Sequence, residues 1–228
     1  MISIVIPTLN AEARLAQCLD ALVTSALDGL VKEVIIVDGG STDVTLPMAD
    51  SFGTRILTAP PGRGGQLAAG AKAARGEWLL FLHADTVLEE GWSNEAAEFI
   101  EGNLYAAAVF TFAFDATGIA QRLVAWGVMQ RTRWVKAPYG DQGLLISKKV
   151  YDEIGGFADM PLFEDVDIIR RLIRIKGPHA LHILSSKAVT SAERYERDGY
   201  ARRVLRNFVL LMRYQLGVSP EELAKAYR

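Results

Sequence analysis

Three short polar clusters in this sequence each follow an apolar run. They are Pro7-Thr8-Leu9-Asn10, Asp38-Gly39-Gly40-Ser41-Thr42-Asp43 and His83-Ala84-Asp85-Thr86. A carboxylate in such a place accepts from the N–H of a base or from ribose hydroxyls. Asp85 also offers the hard oxygen donor that a divalent cation prefers. Asp38 and Asp43 have a second reading, because Asx side chains shape turns, and Ser-Thr-Asp ahead of a helix is ordinary capping chemistry. A further polar pair, Glu164-Asp165, opens a helical pattern carrying Ile168, Ile169 and Leu172. Backbone N–H groups at a helix start hold a carboxylate in its charged form, either as a base for an acceptor proton or as a plain cap.

Two loops are less decisive. Pro60-Pro61-Gly62-Arg63-Gly64-Gly65-Gln66 is glycine-rich and leads into a helix, a setting that cradles phosphate. It is not a dinucleotide fingerprint, because Leu67 replaces the third glycine, and it is not a P-loop, because Ala71-Lys72 follows Gly70. Arg63 either contacts a diphosphate or nucleoside or is a solvated turn residue. Gly140-Asp141-Gln142-Gly143 either lines an acceptor side, with Gln142 and Gly143 facing it, or holds a loop. His179 and His182 are expected on a strand, where residues three apart face opposite sides, so they are structural rather than a metal pair.

The elements that position these clusters read as alternating strands and helices. Ile2–Ile6, Val34–Val37 and Trp78–Leu82 are nearly continuous apolar runs, as expected of strands covered on both faces, and Arg55–Thr58 is a weaker strand. Leu15, Cys18, Leu19, Leu22 and Ala26 fall at helical spacing, so 11–26 is a crossover helix, and Arg63–Ala74 is a second that closes at Gly76. This rhythm predicts an α/β fold with a mostly parallel central sheet flanked by helices, in which ligands bind beyond the strands' carboxyl ends. After about Asp115 the rhythm breaks: 119–133 and 166–175 read as helices and 143–147 as a short strand. One domain over residues 1–228 is expected, with a ligand-binding first half (1–115), a less regular second part (116–190) and a helical tail (191–228).

The bulk properties narrow the class. The chain has 228 residues, half of them apolar, which is enough for one substantial core. With 25 basic and 27 acidic residues and a net charge of -2, there is no general reason to bind nucleic acid. Cys18 is the single cysteine, so no intrachain disulfide forms and a reducing compartment suits the chain. Met1–Pro7 has no basic lead-in and is short for a secretory signal, and no run approaches the roughly 20 apolar residues of a spanning helix. A cytoplasmic, non-integral protein is expected.

Taken together, Ile4–Asn10, Val37–Asp43 and Gly76–Asp85 resemble family 2 glycosyltransferases of the GT-A fold. Gly155-Gly156-Phe157, Phe163-Glu164-Asp165-Val166-Asp167 and Arg170-Arg171-Leu172 are similar to that family's acceptor-side block. The resemblance covers about the first 175 residues, and 190–197 looks like a bacterial subgroup whose acceptors are mostly unassigned. It implies an inverting enzyme that moves a sugar from a nucleotide-diphosphate sugar, with a UDP-type donor favoured, to an acceptor hydroxyl, with 1–115 as the nucleotide-sugar half and 116–190 as the acceptor half. Asp38 matches the acid that contacts the base. Pro7, Thr8 and Asn10 lie in the loop lining the nucleoside. Asp85 matches the metal-binding acid of the DxD motif, for Mn2+ or Mg2+, and Asp165 matches the catalytic base beside Glu164. His83-Ala84-Asp85 departs from the motif, since His83 stands where the first acid usually sits; an imidazole there donates to a ribose oxygen or serves as a manganese ligand.

Competing functions are a nucleotidyltransferase of related fold and a non-catalytic nucleotide-binding module. The first calls for a basic Gly-rich loop after the first strand, where this chain has Pro7–Glu12. The second is opposed by Asp85 and Asp165. In the tail, a helix over 200–216 clusters Arg202, Arg206 and Arg213 opposite Val204, Leu205, Phe208, Leu211 and Met212. Packing of that apolar face onto the domain is the first expectation. Peripheral membrane contact, with a lipid-linked acceptor, or a homodimer interface is the alternative.

Overall fold

The computed structural model describes the backbone of residues 1–27 and 29–227 and the side chains of residues 1–23 and 29–225. Parallel strands β1 (Ile2–Thr8), β2 (Val31–Asp38), β3 (Arg55–Thr58) and β4 (Trp78–Phe81) form one half of the sheet. β5 (Thr86–Leu88), β6 (Ala107–Phe114), β7 (Leu144–Ser147) and β8 (Leu181–Thr190) complete it among the described residues, in the order β3-β2-β1-β4-β7-β6-β8-β5. β7 runs antiparallel to β4 and β6, β8 runs parallel to β6, and β5 is antiparallel to β8.

Alternation along β1 explains the layering. Ile2, Ile4 and Ile6 pack on Leu15, Cys18, Leu19 and Leu22 of α1 (Glu12–Leu27) and, across the sheet, join Trp92 and Phe99 of α4 (Trp92–Gly102). Val5 points the other way, onto Leu67 and Ala71 of α3 (Arg63–Ala73), in a cluster shared with α6 (Lys148–Glu153) and α7 (Glu164–Lys176). Side chains of period two thus serve two cores from one strand. Truncating a buried residue such as Ile4 to alanine would cost about 2–5 kcal/mol. Gly70 lets α3 approach β1 closely, because a Cβ there would run into Cγ1 of Val5. Ala26, expected on the apolar face of α1, lies outside the described side chains.

Topology then determines where chemistry can occur. The chain runs β1-β2-β3 outward, through α1 and α2 (Thr45–Ser51), and returns to β4 on the other side of β1. That reversal opens a crevice between the ends of β1 and β4. β8 ends on the same edge, β7 begins there, and α7 starts there because it runs back against the strands. The loop 139–143 and the segment after Thr190 are therefore brought to the edge that carries the three polar clusters.

The remaining helices are α5 (Ile119–Gln130), extended by a π-helical turn at Arg131–Val135, α8 (Glu193–Asp198), α9 (Tyr200–Gln215) and α10 (Pro220–Tyr227). The apolar run 105–114, which the sequence marked only as too short to span a bilayer, contains β6 in the middle of the sheet. No helix among the described residues is long and apolar enough to cross a membrane. His179 lies in a 3-10 turn (Pro178–Ala180) rather than on a strand; His182 is on β8, with its ring 5.3 Å from that of Phe99.

Candidate active site

Two cavities meet at the sheet edge. A groove of about 540 Å3 is lined by Pro7, Thr8, Leu9, Asn10, Arg63, Gln66, His83, Ala84 and Asp85, among others. A chamber of about 130 Å3 is lined by Tyr139, Gly140, Asp141, Asp165, Arg194, Arg203 and Asn207, with Leu162, Phe163 and Leu210 as its apolar wall. Arg63, His83, Asp85, Ser191 and Arg194 belong to both, so they form the junction.

The groove floor is built by the loops after β1 and β2, which hold each other. Thr8 Oγ1 donates to Asp38 Oδ1 at 2.9 Å, Gly39 N to Thr8 O at 2.8 Å, and Thr42 N to Asn10 Oδ1 at 2.9 Å. Asn10 adopts φ 51°, a left-handed conformation that asparagine tolerates. Beneath them Gln66 Nε2, buried on α3, donates to Thr8 O at 2.9 Å and Val37 O at 2.7 Å, fastening both strand ends. Nothing in the sequence singled out Gln66 except a polar residue on an otherwise Ala- and Gly-rich helix face.

The acids divide by what the fold asks of them. Asp38 is buried, and both its oxygens are engaged by Thr8, by Ser41 Oγ at 2.5 Å and by the amides of Gly40 and Ser41 at 2.8 Å each. These donors hold its pKa below the usual carboxylate value against the opposing effect of burial. Asp38 lines neither cavity; its oxygens hold the loop on which Thr8 and Ser41 sit. Asp43 shapes the turn ahead of α2, part of its alternative reading, accepting from Glu12 N at 3.2 Å and Thr45 N at 3.0 Å. Asp85 makes no hydrogen bond or ion pair among the described residues and faces both cavities. Its carboxylate is available.

On the chamber side, Asp165 Oδ2 accepts from Gly140 N at 2.6 Å and Oδ1 from Val166 N at 2.7 Å. Phe163, just before this pair, has φ 66°, rare for a bulky residue and worth about 1–3 kcal/mol of strain; its ring stacks on Tyr214 at 4.9 Å. The buried Glu164 ion-pairs with Arg63 Nη1 at 3.3 Å, linking the glycine-rich loop to α7. Burial raises the Glu164 pKa, with Arg63 opposing. Burial and Arg63 together lower that of His83, leaving a neutral imidazole. Asp141 carries a buried Oδ1 with no partner among the described residues, and burial pushes its pKa up to about 6.

The loop 140–143 is divided. Asp141 lines the chamber, whereas Gln142 is in the core, its Nε2 donating to Phe110 O at 3.0 Å and its Oε1 accepting from Thr132 Oγ1 at 2.7 Å. Gly143 lines an adjoining, mostly apolar void that shares His83, Tyr139, Gly140 and Asp165 with the chamber. Gly140 and Asp141 line the chamber where Gln142 and Gly143 do not, because the 3-10 turn at Gly140–Gln142 rotates successive side chains away from one another. Arg194 and Asn207 also went unnoticed in the sequence, since only the return of α8 and α9 over the edge brings them in. Cys18 is core, as expected.

Residues 3–160 match the family model for glycosyl transferase family 2, well over half of the chain. The chain belongs to that family. Among curated relatives, the PGL/p-HBAD biosynthesis glycosyltransferase of Mycobacterium tuberculosis is 41% identical over 97 residues, 40% of this chain and 37% of that one. The glucosyl-3-phosphoglycerate synthase of the same species is 34% identical over 95 residues, covering 38% and 29%. The matched stretch is thus about a third of each relative's length. This family 2 chain also shares its fold with that synthase solved with Mn2+, UDP and glucosyl-3-phosphoglycerate (TM-score 0.63, 20% identity, 83% and 70% covered). A second neighbour is Staphylococcus aureus TarS 1–349 (TM-score 0.65, 16% identity, 97% and 68% covered).

Proposed function

We propose that this family 2 chain transfers a sugar from a nucleotide-diphosphate sugar, of the UDP type, to an acceptor hydroxyl with inversion at the anomeric carbon. The observation that carries the reading is the junction. A groove floored by Pro7, Thr8 and Asn10 opens onto a chamber holding Asp165, and Asp85, unpaired among the described residues, stands where they meet. The UDP complexes of the structurally similar synthase support the donor class.

Among the described residues no cluster of three or more acids, histidines or cysteines forms a dedicated metal cage. The residues fit the other mode of binding, in which one carboxylate shares Mn2+ or Mg2+ with substrate phosphates, and Asp85 would be that carboxylate. The cation, when bound, supplies charge neutralisation for the nucleoside diphosphate that leaves.

The protein's own groups do the rest. Thr8 and Asn10 position the nucleoside, Arg63 and Arg194 face the diphosphate, and the neutral His83 donates to or accepts from a sugar oxygen. Asp165 accepts the acceptor hydroxyl's proton as oxygen attacks, oriented by the Gly140 amide. Asp38 and Glu164 act through Thr8 and Arg63. Leu162, Phe163 and Leu210 suit an acceptor with an apolar part, of which a lipid-linked one is the fullest case. A panel of UDP-, GDP- and dTDP-sugars with manganese, read by nucleoside diphosphate release, tests the donor class. No release from any of them would overturn it.

A further inference from the structure

α9 lies on the body with its apolar face outward, contrary to the expected packing. Its inner side gives Arg203, Asn207 and Leu210 to the chamber wall; Arg203 is held by Asp198 at 2.6 Å and by the ring of Tyr195 at 5.3 Å. Leu210 and Leu211 pack on Phe163 and Val166. Val204, Leu205, Phe208, Val209, Met212 and Leu216 are consequently left to solvent, Leu205 at 63% and Phe208 at 58%. A helix whose polar side roofs a cavity cannot also bury its apolar side.

α5, which contacts α9, does the same. Val128 and Met129 face Phe112 in the body, while Ile119, Leu123 and Trp126 recur every three or four residues on the outer face. The π-helical turn continues that stripe to Trp134, whose Nε1 donates to Gln130 Oε1 at 2.9 Å. Trp126 is 65% exposed and Trp134 82%, whereas the other two tryptophans, Trp78 and Trp92, are buried.

Charge selects the occupant. From Ala116 to Gly140 the sequence has Arg122, Arg131, Arg133 and Lys136 and no acid; from Gly199 to Pro220 it has Arg202, Arg203, Arg206 and Arg213 and no acid, in a chain of net charge -2. The acids on neighbouring elements are Glu193, Glu196 and Asp198 on α8, Asp198 holding Arg203, and Glu221 and Glu222 on α10, Glu222 paired with Arg213 at 2.8 Å. Arg122, Arg133 and Arg202 are exposed on the surface. Exposed tryptophans, a wide apolar stripe and the exposed Arg122, Arg133 and Arg202 beside it suit the headgroup region of an anionic bilayer better than a second copy of this surface, which would set like charges against each other.

We propose that the outer faces of α5, the turn 131–135 and α9 form one surface that docks on membranes containing anionic lipid. It holds whether or not the chain transfers sugar, because docking requires neither donor nor acceptor. The test is flotation of the full chain with vesicles of phosphatidylcholine alone or with about one-third phosphatidylglycerol, together with tryptophan emission. The protein should float with the anionic vesicles, less so at high salt, with a blue shift from Trp126 and Trp134. Leu205→Ser with Phe208→Ser, and separately Trp126→Ser with Trp134→Ser, should each weaken binding roughly tenfold or more with circular dichroism unchanged. No flotation at low salt, or binding that ignores both double variants, would overturn the proposal. So would a dimer by sedimentation that shields these tryptophans without lipid and does not bind vesicles.

Discussion

The amide of Gly140 donates to Asp165 Oδ2 at 2.6 Å, and the space that a side chain at Gly140 would need is taken by the imidazole of His83, with Cε1 2.8 Å from where a Cβ would sit. His83 and Asp165 therefore stand on either side of a residue without a side chain, which couples the ends of β4 and the start of α7. Gly140→Ala should push the imidazole away from the junction and disturb the carboxylate. The fold should survive, by circular dichroism, and nucleoside diphosphate release in the presence of acceptor should fall roughly 100-fold. Parental turnover would show that this spacing is immaterial.

Asp165→Asn keeps the shape and the hydrogen bond from Gly140 but removes the base. Donor binding should persist, while kcat for transfer falls roughly 100- to 10,000-fold. If Asp165 only caps α7, the variant loses about 1 kcal/mol or less of stability and transfers sugar normally. Steady-state kinetics on the identified donor and acceptor distinguish the two.

Gln66→Leu leaves the carbonyls of Thr8 and Val37 without their buried donor. Urea unfolding should report a loss of about 1–3 kcal/mol, and nucleotide affinity should drop with it because both strand ends loosen. A variant as stable as the parent would mean that the groove floor is held elsewhere.

Burial raises the Asp141 pKa from 3.8 to about 6. Between those values the folded state binds more protons than the unfolded one, so this residue's contribution is complete below the lower value and lost as pH rises through the upper. Parent and Asp141→Asn, unfolded in urea without divalent cation, should therefore differ by an amount that shifts against the parent from about pH 4 to pH 7. A constant difference across that range would contradict the burial of a charged Asp141.

Legibility in the sequence followed local repetition. β1, β2, β3 and α3 are marked by apolar runs or helical spacing that end within a few residues of the observed limits, because both faces of that half-sheet are covered. β6 is rich in alanine, a weak strand signal, and was legible only as an apolar run. β8 slips register between Val109 and Thr111 of its neighbour, near Ser185 and Ser186, which breaks its alternation. At the site, the clusters ending β1 and β4 were readable because strand ends are where ligands bind. That Asp38 would spend its oxygens on its own loop was not, since a turn-building and a ligand-binding Asp look alike in sequence. α9 misled for a physical reason: Arg203 and Asn207 line the chamber beside Leu210, so most of its apolar side is left facing out.

Asp85 is the junction carboxylate that the fold leaves unused, so the account depends most on it. Titration of UDP into the protein by calorimetry, with and without manganese, measures this directly. The parent should bind UDP tightly only with the cation, and Asp85→Ala should lose most of that cation-dependent affinity while unfolding at the parental midpoint. UDP binding that is the same in parent and variant, with and without manganese, would contradict the account.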